Sequence, residues 1–285
     1  MYILNRHYWP LFAIIIIFLI LMIIIARFLP GGIDWHLTFR PAALAMISGR
    51  SPYEDISVKA PYAGAPWGLL PLIPLALLPE VIGRGLLFGI SSIAFAFAAI
   101  RLGAKTPALV AFLLSPPVLH SLLNANLDWI PLLGFALPPQ IGLFLLAVKP
   151  QMGSVVALFW LFEAWREGKW RKVFHVFAPI SITFLVSFII FGFWPLNMLT
   201  AERYTQWWNA SLWPTSIPVG LALAVASIRL RQVKYAMAAS PSLSPHVLFH
   251  SWSSALIAIV ASNAETIAAV IGLWILVIIR AYTIS

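Results

Sequence analysis

Long apolar stretches, separated by short polar or basic segments, cover most of the chain. The first, "LFAIIIIFLILMIIIARFLP" (11–30), is long enough for a membrane span of about 20 residues, and no Ala-x-Ala cleavage site follows it. We therefore predict a membrane helix there rather than a cleavable signal peptide. The whole pattern predicts an all-α polytopic membrane protein, a single transmembrane domain over residues 1–285. Its expected segments, about ten in number, are 8–29, 66–80, 85–100, 106–123, 127–148, 150–165, 173–194, 216–229, 236–261 and 266–280.

Positive charge indicates on which side of the membrane each connecting segment is expected. The strongest clusters are "WREGKWRK" (165–172) and "RLRQVK" (229–234). Ten crossings with a cytoplasmic N-terminus place both clusters on the cytoplasmic side, as the positive-inside rule requires. Arg101 and Lys105 then fall outside and break the rule, a conflict that a re-entrant segment near 66–80 would remove.

This topology leaves two long extracytoplasmic loops, over about residues 30–65 and 195–215. In the first loop, Pro41 suits the first position of a helix and Gly49 suits the position after its end. Residues 41–48, "PAALAMIS", therefore predict a short helix of two apolar turns. We expect this helix to lie flat on the membrane surface.

Composition supports lipid as the solvent of this chain. Hydrophobic residues make up 61% of it and charged residues 9%, with a mean hydropathy of +0.94, whereas a soluble domain has about 25% charged residues. The net charge of +9 would suggest nucleic acid in a soluble protein, but here it is better explained by cytoplasmic loops facing anionic lipid headgroups. We therefore expect membrane lipids, and no nucleic acid, as partners.

Several kinds of chemistry have no support in the sequence. The absence of cysteine excludes disulfides and thiolate catalysis. The chain contains no Walker loop, no Gly-x-Gly-x-x-Gly opening a helix and no serine nucleophile elbow. Nucleotide-dependent chemistry and a Ser–His mechanism are therefore not predicted.

Carboxylates are scarce, and the expected outer loops hold the only cluster on one membrane face. The nine carboxylates are Asp34, Glu54, Asp55, Glu80, Asp128, Glu163, Glu167, Glu202 and Glu265. Of these, Asp34, Glu54, Asp55 and Glu202 fall in the outer loops. Asp34 follows the first span by a few residues, where an aspartate is either an ordinary loop residue or part of a site.

The remaining carboxylates suggest structural pairs. Glu163 and Glu167 are expected to pair with Arg166 and Lys169 in the basic cytoplasmic loop. Glu80 stands four residues before Arg84, a spacing that favours pairing on a helix. Asp128 falls at a membrane border, on the inner side by the count of spans, where a boundary role is more typical than catalysis.

Lys149 is an unusual cation, which stands at the end of an apolar helix and before a proline in "LFLLAVKPQ". An ionisable residue at membrane depth suggests a functional site, although a lone lysine can also extend its amine to the headgroups. The count of spans places Lys149 outside, on the same side as Asp34.

Histidine gives no predicted metal site. His36 lies in the first outer loop, and His246 and His250 stand four residues apart in "SPHVLFH". That spacing can hold a metal, but two aligned ligands without a third are a weak signal. Such a pair is more typical of a polar pocket.

The second outer loop is rich in tryptophan. "ERYTQWWNASLWP" (202–214) contains Trp207, Trp208 and Trp213. These side chains suit an interfacial aromatic belt, and aromatic faces also stack on sugars, so a carbohydrate site would have the same pattern.

A series of short segments gives the clearest indication of function. After the first span come Asp34 and "RPAALAMISGRSPYED", then "APWGLLPLIPLALLP", "LLSPPVLHSLLNANLDW", "LFLLAVKPQMG" and "ASPSLSPH". In this order they resemble the GT-C glycosyltransferases that use polyprenyl-phosphate sugars, most closely the branch of bacterial membrane mannosyltransferases and arabinofuranosyltransferases. The matching positions in the first loop are Asp34, Ala42, Ala43, Gly49, Pro52 and Tyr53.

The chain also departs from that family. It is short for the class, Ala65-Pro66-Trp67 stands where the family has Tyr-Pro-Pro, and Asn124-Ala125 replaces a Gly-Gln pair, with Asn126 in the later polar place. These departures leave a reduced or inactive member as an alternative.

The resemblance implies a role for each candidate residue. Asp34 would be the general base that deprotonates an acceptor hydroxyl. Lys149, Arg40 and Arg50 would bind the donor phosphate. The expected substrate-binding residues are His36, Tyr53, Asn126, Trp207, Trp208, Trp213 and His246. The implied donor is a polyprenyl-phosphate sugar, the acceptor a glycan or lipid, and no cofactor or metal is predicted.

The location implied is the plasma membrane of a prokaryote, with a cytoplasmic N-terminus. Two other functions remain open. One is an inactive GT-C-like scaffold that serves as a subunit of a membrane complex, and the other is a small-solute transporter, for which few polar residues lie within the spans.

Overall fold

The computed structural model describes residues 9–53, 61–197 and 206–284. Its regular elements in these ranges are helices, apart from an isolated β-bridge between Asn209 and Leu248. The α-helices, numbered here in chain order, are α1 (Trp9–Ala26), α2 (Arg40–Ile47), α3 (Ile73–Ala76), α4 (Glu80–Arg101), α5 (Thr106–Leu113), α6 (Pro116–Asn124), α7 (Trp129–Phe135), α8 (Pro139–Leu146), α9 (Pro150–Phe191), α10 (Ile217–Leu230), α11 (Val233–Ser242), α12 (Ser253–Ile257) and α13 (Asn263–Ile284). A π-helical turn (Trp35–Phe39) precedes α2, and 3-10 helices occupy Pro66–Leu72, Gln206–Trp208 and Phe249–Trp252.

The all-helical fold class is confirmed for the described residues, but ten membrane spans are not supported. Three described helices are long and apolar enough to cross a membrane: α4, α9 and most of α13. A fourth span results if α5 and α6, which are bent by 52° relative to each other, are taken together. Gly168 and Lys169 have non-helical backbone angles inside α9, so the expected segments 150–165 and 173–194 lie in its two halves.

Proline explains much of the difference between expected and observed spans. The stretches 66–80, 106–123 and 127–148 are largely apolar, but each is broken into short helices, most of which begin at or next to a proline. Proline lacks a backbone N–H and disfavours a helical conformation in the residue before it. Apolar composition therefore overestimated the length of the helices in this part of the chain.

The stretch 127–148 forms two short helices that fold back on each other instead of one long helix. Helices α7 and α8 pack against each other, and Gly134 and Gly142 lie at their contact: a β-carbon on Gly142 would stand 2.6 Å from the carbonyl oxygen of Gly134. Only glycine permits this close approach of two backbones. Asp128, just before α7, and Lys149, just after α8, are consequently neighbours, so the expectation of Asp128 on the opposite face from Lys149 is wrong.

The short helix predicted over residues 41–48 is present as α2. It has Pro41 in its first turn and is followed by Gly49 with a φ of +73°. Its alanines at 42, 43 and 45 are buried, because α2 packs against α3 and the 3-10 helix Pro66–Leu72. The small side chains of α2 thus face other parts of the protein.

Arg84, in α4, connects that helix to the segment that follows α1. Its buried guanidinium donates hydrogen bonds to the carbonyl oxygens of Ala26, Leu29 and Pro30, at and after the end of α1. The expected pair of Arg84 with Glu80 is therefore not formed. The loop leaving α1 is held in place a few residues before Asp34.

Candidate functional site

A cavity of about 260 Å³ brings together candidate residues that are far apart in the sequence. Asp34, Asn126, Lys149 and His246 all line it. Each comes from a different connecting segment: before the π-helical turn, between α6 and α7, between α8 and α9, and after α11. The ends of several helices thus meet around one space.

Local backbone conformation aims the segment between α6 and α7 at the cavity. Ala125 ends α6 in the left-handed region, with φ of +54°. The next residue, Asn126, is buried, and its Oδ1 accepts a hydrogen bond of 2.6 Å from the backbone N–H of Leu127. A short turn of this kind directs polar side chains inward at a helix end.

Asn126 is the centre of a polar network. Its Oδ1 also accepts a hydrogen bond from the amine of Lys149, while its Nδ2 donates to Oδ2 of Asp34. The same Nδ2 lies 3.1 Å from Nε2 of His250. One amide therefore connects the cavity carboxylate, the lysine and a buried histidine.

Asp128 forms the buried base of this network. Its side chain is 0% exposed. Its Oδ1 lies 2.6 Å from the Lys149 amine and accepts a hydrogen bond of 3.2 Å from the hydroxyl of Ser251. Its Oδ2 lies 2.5 Å from Nδ1 of His250. Burial by itself raises the pKa of Asp128, but its interactions with His250 and Lys149 outweigh burial and hold the pKa below its ordinary value. Asp128 is thus a carboxylate that stays ionised because its partners are fixed beside it.

His250 separates the two aspartates. Its Nε2 lies 4.0 Å from Oδ2 of Asp34, and its ring stacks on that of His120 with 5.5 Å between ring centroids. Asp34, in contrast to Asp128, is 24% exposed and faces the cavity. The arrangement therefore offers one accessible carboxylate, which can accept a proton from a hydroxyl group, backed by a buried Asp128–His250 pair.

Sequence reasoning missed the role of Asp128, His250 and Ser251. Asp128 was placed on the other membrane face by the count of spans, and His250 was noted only as the second member of a pair with His246. The available signal was the run "NANLDW", in which Asn126 and Asp128 stand two residues apart directly after a helix.

The structure does not bring His36, Arg40 or Arg50 to the cavity. His36 is exposed and its Nδ1 lies 2.6 Å from Oε1 of Glu80. Arg40 donates a hydrogen bond of 3.4 Å to the carbonyl oxygen of Leu78, and Arg50 one of 3.2 Å to the hydroxyl of Ser48. Phosphate binding by these arginines would need a different arrangement of the loop.

Among the aromatic candidates, Tyr53 lies one layer behind the cavity wall. Its hydroxyl donates a hydrogen bond of 2.9 Å to the carbonyl oxygen of Gly64, its ring stacks on Tyr62, and both Gly64 and Tyr62 line the cavity. Burial raises the pKa of the Tyr53 hydroxyl above its ordinary value, so it serves as a neutral donor. Trp208 and Trp213 are exposed and do not line the cavity.

Some candidates fall outside the part of the chain that the structure describes: the side chain of Trp207, and Glu54, Asp55 and Glu202. Within residues 9–53, 61–197 and 206–284, no group of three or more His, Asp or Glu side chains is arranged to hold a metal ion. The expected pairing of Glu163 with Arg166 is confirmed, at 2.9 Å between Oε1 and Nη1. Glu167 pairs with Lys172 instead of Lys169, at 3.6 Å between Oε2 and Nζ.

Comparisons of the chain with protein-family models, with curated proteins and with solved structures found no match. The resemblance to GT-C glycosyltransferases therefore rests on the order of its short segments alone. Any functional assignment has to be built from the geometry of the cavity.

Proposed function

We propose that the protein is an integral membrane glycosyltransferase, which moves a sugar from a polyprenyl-phosphate donor to an extracytoplasmic lipid or glycan acceptor. The observation that carries the proposal is the cavity, where an accessible carboxylate, Asp34, and a cation, Lys149, line the same wall and are joined through Asn126. A base for the acceptor and a positive charge for the departing phosphate are what such a transfer needs.

In the proposed reaction the acceptor hydroxyl gives its proton to Asp34. The acceptor oxygen then bonds to the anomeric carbon of the sugar, and the bond from that carbon to the phosphate oxygen breaks. The polyprenyl phosphate leaves with the electron pair. Lys149 stabilises the negative charge that develops there, although it shares its own charge with Asp128. No cofactor or metal is part of this proposal.

The distribution of charge supports an extracytoplasmic cavity. Lys149 directly precedes α9, and Glu163, which pairs with Arg166 and Arg231, stands 13 residues into that helix. At 1.5 Å per residue the two sites are about 20 Å apart along the helix axis. If the basic end is cytoplasmic, as the positive-inside rule favours, the cavity lies towards the other face. We propose the plasma membrane of a prokaryote, with the N-terminus inside.

The apolar helices themselves indicate a membrane protein. Large side chains on the second half of α9, such as Ile182, Leu185 and Ile189, are more than half exposed. Lipid would cover such a surface, and so would the helices of a partner protein. The second candidate function is therefore an inactive scaffold that packs within a membrane complex. It is favoured by the pairing of Lys149 with Asp128, which neutralises the cavity cation within the protein itself.

Substitution of Asp34 separates the two functions. Purified wild type and Asp34→Asn, in nanodiscs, would be incubated with radiolabelled polyprenyl-phosphate sugars and mixed lipid and glycan acceptors. We expect wild type to transfer or release sugar and Asp34→Asn to lose at least about 100-fold in kcat, since general base catalysis contributes about 10²–10⁴. Asparagine keeps the size of the side chain but cannot accept the proton.

Glu265→Gln is the matched control, because Glu265 is an exposed carboxylate of α13 that does not line the cavity. It should keep wild-type turnover. Turnover by Asp34→Asn at the wild-type rate would remove Asp34 from the mechanism. Failure of folded wild type with every donor would favour the scaffold.

A further inference from the structure

The hydrogen bonds around Asn126 fix which way its amide points. Two groups that can only donate, the Lys149 amine and the backbone N–H of Leu127, both approach one atom of this amide. That atom must be the oxygen, because an NH₂ group cannot accept from them. The nitrogen consequently faces Asp34 and His250, as a donor to both.

The direction of Asn126 in turn fixes the state of His250. Nε2 of His250 has to accept a hydrogen bond from the Asn126 amide at 3.1 Å, so it carries no proton. Nδ1 carries the proton, beside Oδ2 of Asp128 at 2.5 Å. The contacts are satisfied together only by a neutral His250 with its proton on Nδ1.

The charged and titratable groups that face His250 come from every neighbouring segment. They are Asp34, Asp128, the stacked ring of His120 and, through Asp128 and Asn126, Lys149. The hydroxyl of Ser251 lies 3.4 Å from Nδ1 of His250 and donates to Asp128, so it reinforces the carboxylate as the acceptor on that side. Buried Asp128 thus holds the ring from behind, while Asn126 contacts it from the cavity side.

We propose that His250, held by Asp128 in its neutral Nδ1–H form, is a positioning residue that orients the carboxylate of Asp34 through Asn126. A proton on Nε2 would set two donors against each other at the Asn126 amide. Asn126 cannot rotate to relieve this, because its nitrogen would then face Lys149 and the N–H of Leu127. The bond from Asn126 to Asp34 would be displaced. The catalytic part of this inference rests on the proposed function.

Two substitutions at His250 separate hydrogen bonding from packing. His250→Phe keeps a flat ring against His120 but removes the hydrogen bond from Asn126 and the polar contact with Asp128. His250→Gln keeps an acceptor for Asn126 and a donor for Asp128. With Asp34 misplaced, we expect His250→Phe to lose about 100-fold in kcat with KM nearly unchanged, since small displacements of a catalytic group have effects of that order. His250→Gln should recover most of the lost rate.

A spectroscopic readout tests His250 without any substrate. Protein labelled with ¹⁵N-histidine, in nanodiscs at pH 7, should show one histidine with a protonated Nδ1 and an unprotonated Nε2, and this pair of signals should vanish in His250→Gln. In Asp128→Asn the signals should move, because an amide no longer selects Nδ1–H. Thermal unfolding of each variant confirms that it is folded.

Each possible result of these experiments either supports or overturns the proposed role of His250. The Nδ1–H signals, with loss of rate in His250→Phe and its recovery in His250→Gln, support the inference. A His250 that is an imidazolium or carries its proton on Nε2 overturns it, and so does full activity of His250→Phe. If wild type fails with every donor, the proposed function fails and the catalytic role with it, while the ¹⁵N spectrum still accepts or rejects the Asp128–His250–Asn126 arrangement.

Discussion

The first half of α9 has an ion pair at each end, and the two pairs differ in almost every physical respect. At the cavity end, Lys149 pairs with Asp128, whose side chain is fully buried. At the basic end, Glu163 pairs with Arg166 and Arg231, whose side chains are 42% and 59% exposed. The distances are similar, at 2.6–2.9 Å, so geometry alone does not distinguish them.

The difference lies in what replaces a lost partner. Water can solvate an exposed carboxylate or guanidinium, so a surface pair contributes little to stability. A buried carboxylate has no such alternative, and removing its partner leaves an uncompensated charge. Substitution of either charged residue at the cavity end is therefore expected to destabilise the protein. At the basic end, the charges are expected to determine the orientation of the protein in the membrane instead.

Removal of the buried cation should give the largest effect. Lys149→Met leaves Asp128 with His250 and Ser251 alone, and we expect a loss of about 3–5 kcal/mol in the free energy of unfolding. Thermal unfolding of the detergent-solubilised protein measures it. Lys172→Met, which removes the exposed partner of Glu167, is the control and should lose less than about 1 kcal/mol. Equal losses in the two variants would contradict the comparison.

Removal of both buried charges should be less harmful than the sum of the two changes. The double variant Asp128→Asn, Lys149→Met no longer contains an unpaired charge. We expect the two substitutions to be coupled by about 0.5–3 kcal/mol, as for residues in one network. The same cycle built with Asp128→Asn and Lys172→Met should be additive. Additivity in the first cycle would show that Lys149 and Asp128 do not depend on each other.

The next largest effect is expected when the pH is lowered, because stability should depend on pH more strongly through the cavity end of α9 than through the basic end. The pKa of folded Asp128 is lowered, because His250 and Lys149 outweigh its burial, whereas an unfolded aspartate has a pKa of about 3.9. A lowered folded pKa contributes stability that is present above about pH 4 and is lost as the pH falls below it. The midpoint of thermal unfolding should therefore fall more steeply between pH 5 and pH 3 in wild type than in Asp128→Asn.

Glu163→Gln provides the control for the acid experiment, since it removes a carboxylate at the exposed end. It should retain nearly the wild-type slope. A slope in Asp128→Asn equal to that of wild type would mean that another carboxylate governs acid stability.

The smallest effect is expected for Arg231→Met. Its guanidinium pairs with Glu163 at the surface, where solvent and salt screen the interaction. The midpoint of unfolding should be indistinguishable from wild type at physiological salt, with any difference confined to low salt. A large, salt-independent decrease would show that the basic end is as tightly coupled as the cavity end.

The sequence anticipated part of the site, for identifiable reasons. Asp34 and Lys149 drew attention because charges next to apolar spans are rare, and both line the cavity. Asp128 did not, because its place depended on how many times the chain crosses the membrane. The count failed at α7 and α8, where proline and a contact between two glycines turn an apolar stretch into a hairpin.

Arginine was the least predictable residue type. The resemblance implied that Arg40 and Arg50 bind phosphate, but each bonds to nearby protein groups away from the cavity. Arg84 looked like half of a helix pair and instead donates to the backbone at the end of α1. A guanidinium has five donors and a long stem, so its partner depends on which acceptors the fold leaves unpaired nearby.

The sequence by itself determined that this is an all-helical protein with a composition suited to a lipid environment. It also predicted a short helix with Pro41 in its first turn, and it showed that charged residues are few. Those properties depend on composition and on local backbone preferences. Only the tertiary structure decided that Asp34, Asn126, Asp128, Lys149 and His250 meet in one network. Hydrogen bonds and ion pairs act over a few ångströms, so their partners depend on which helix ends lie close together. In this chain, prolines and close glycine contacts bring those ends together, and apolar periodicity does not reveal them.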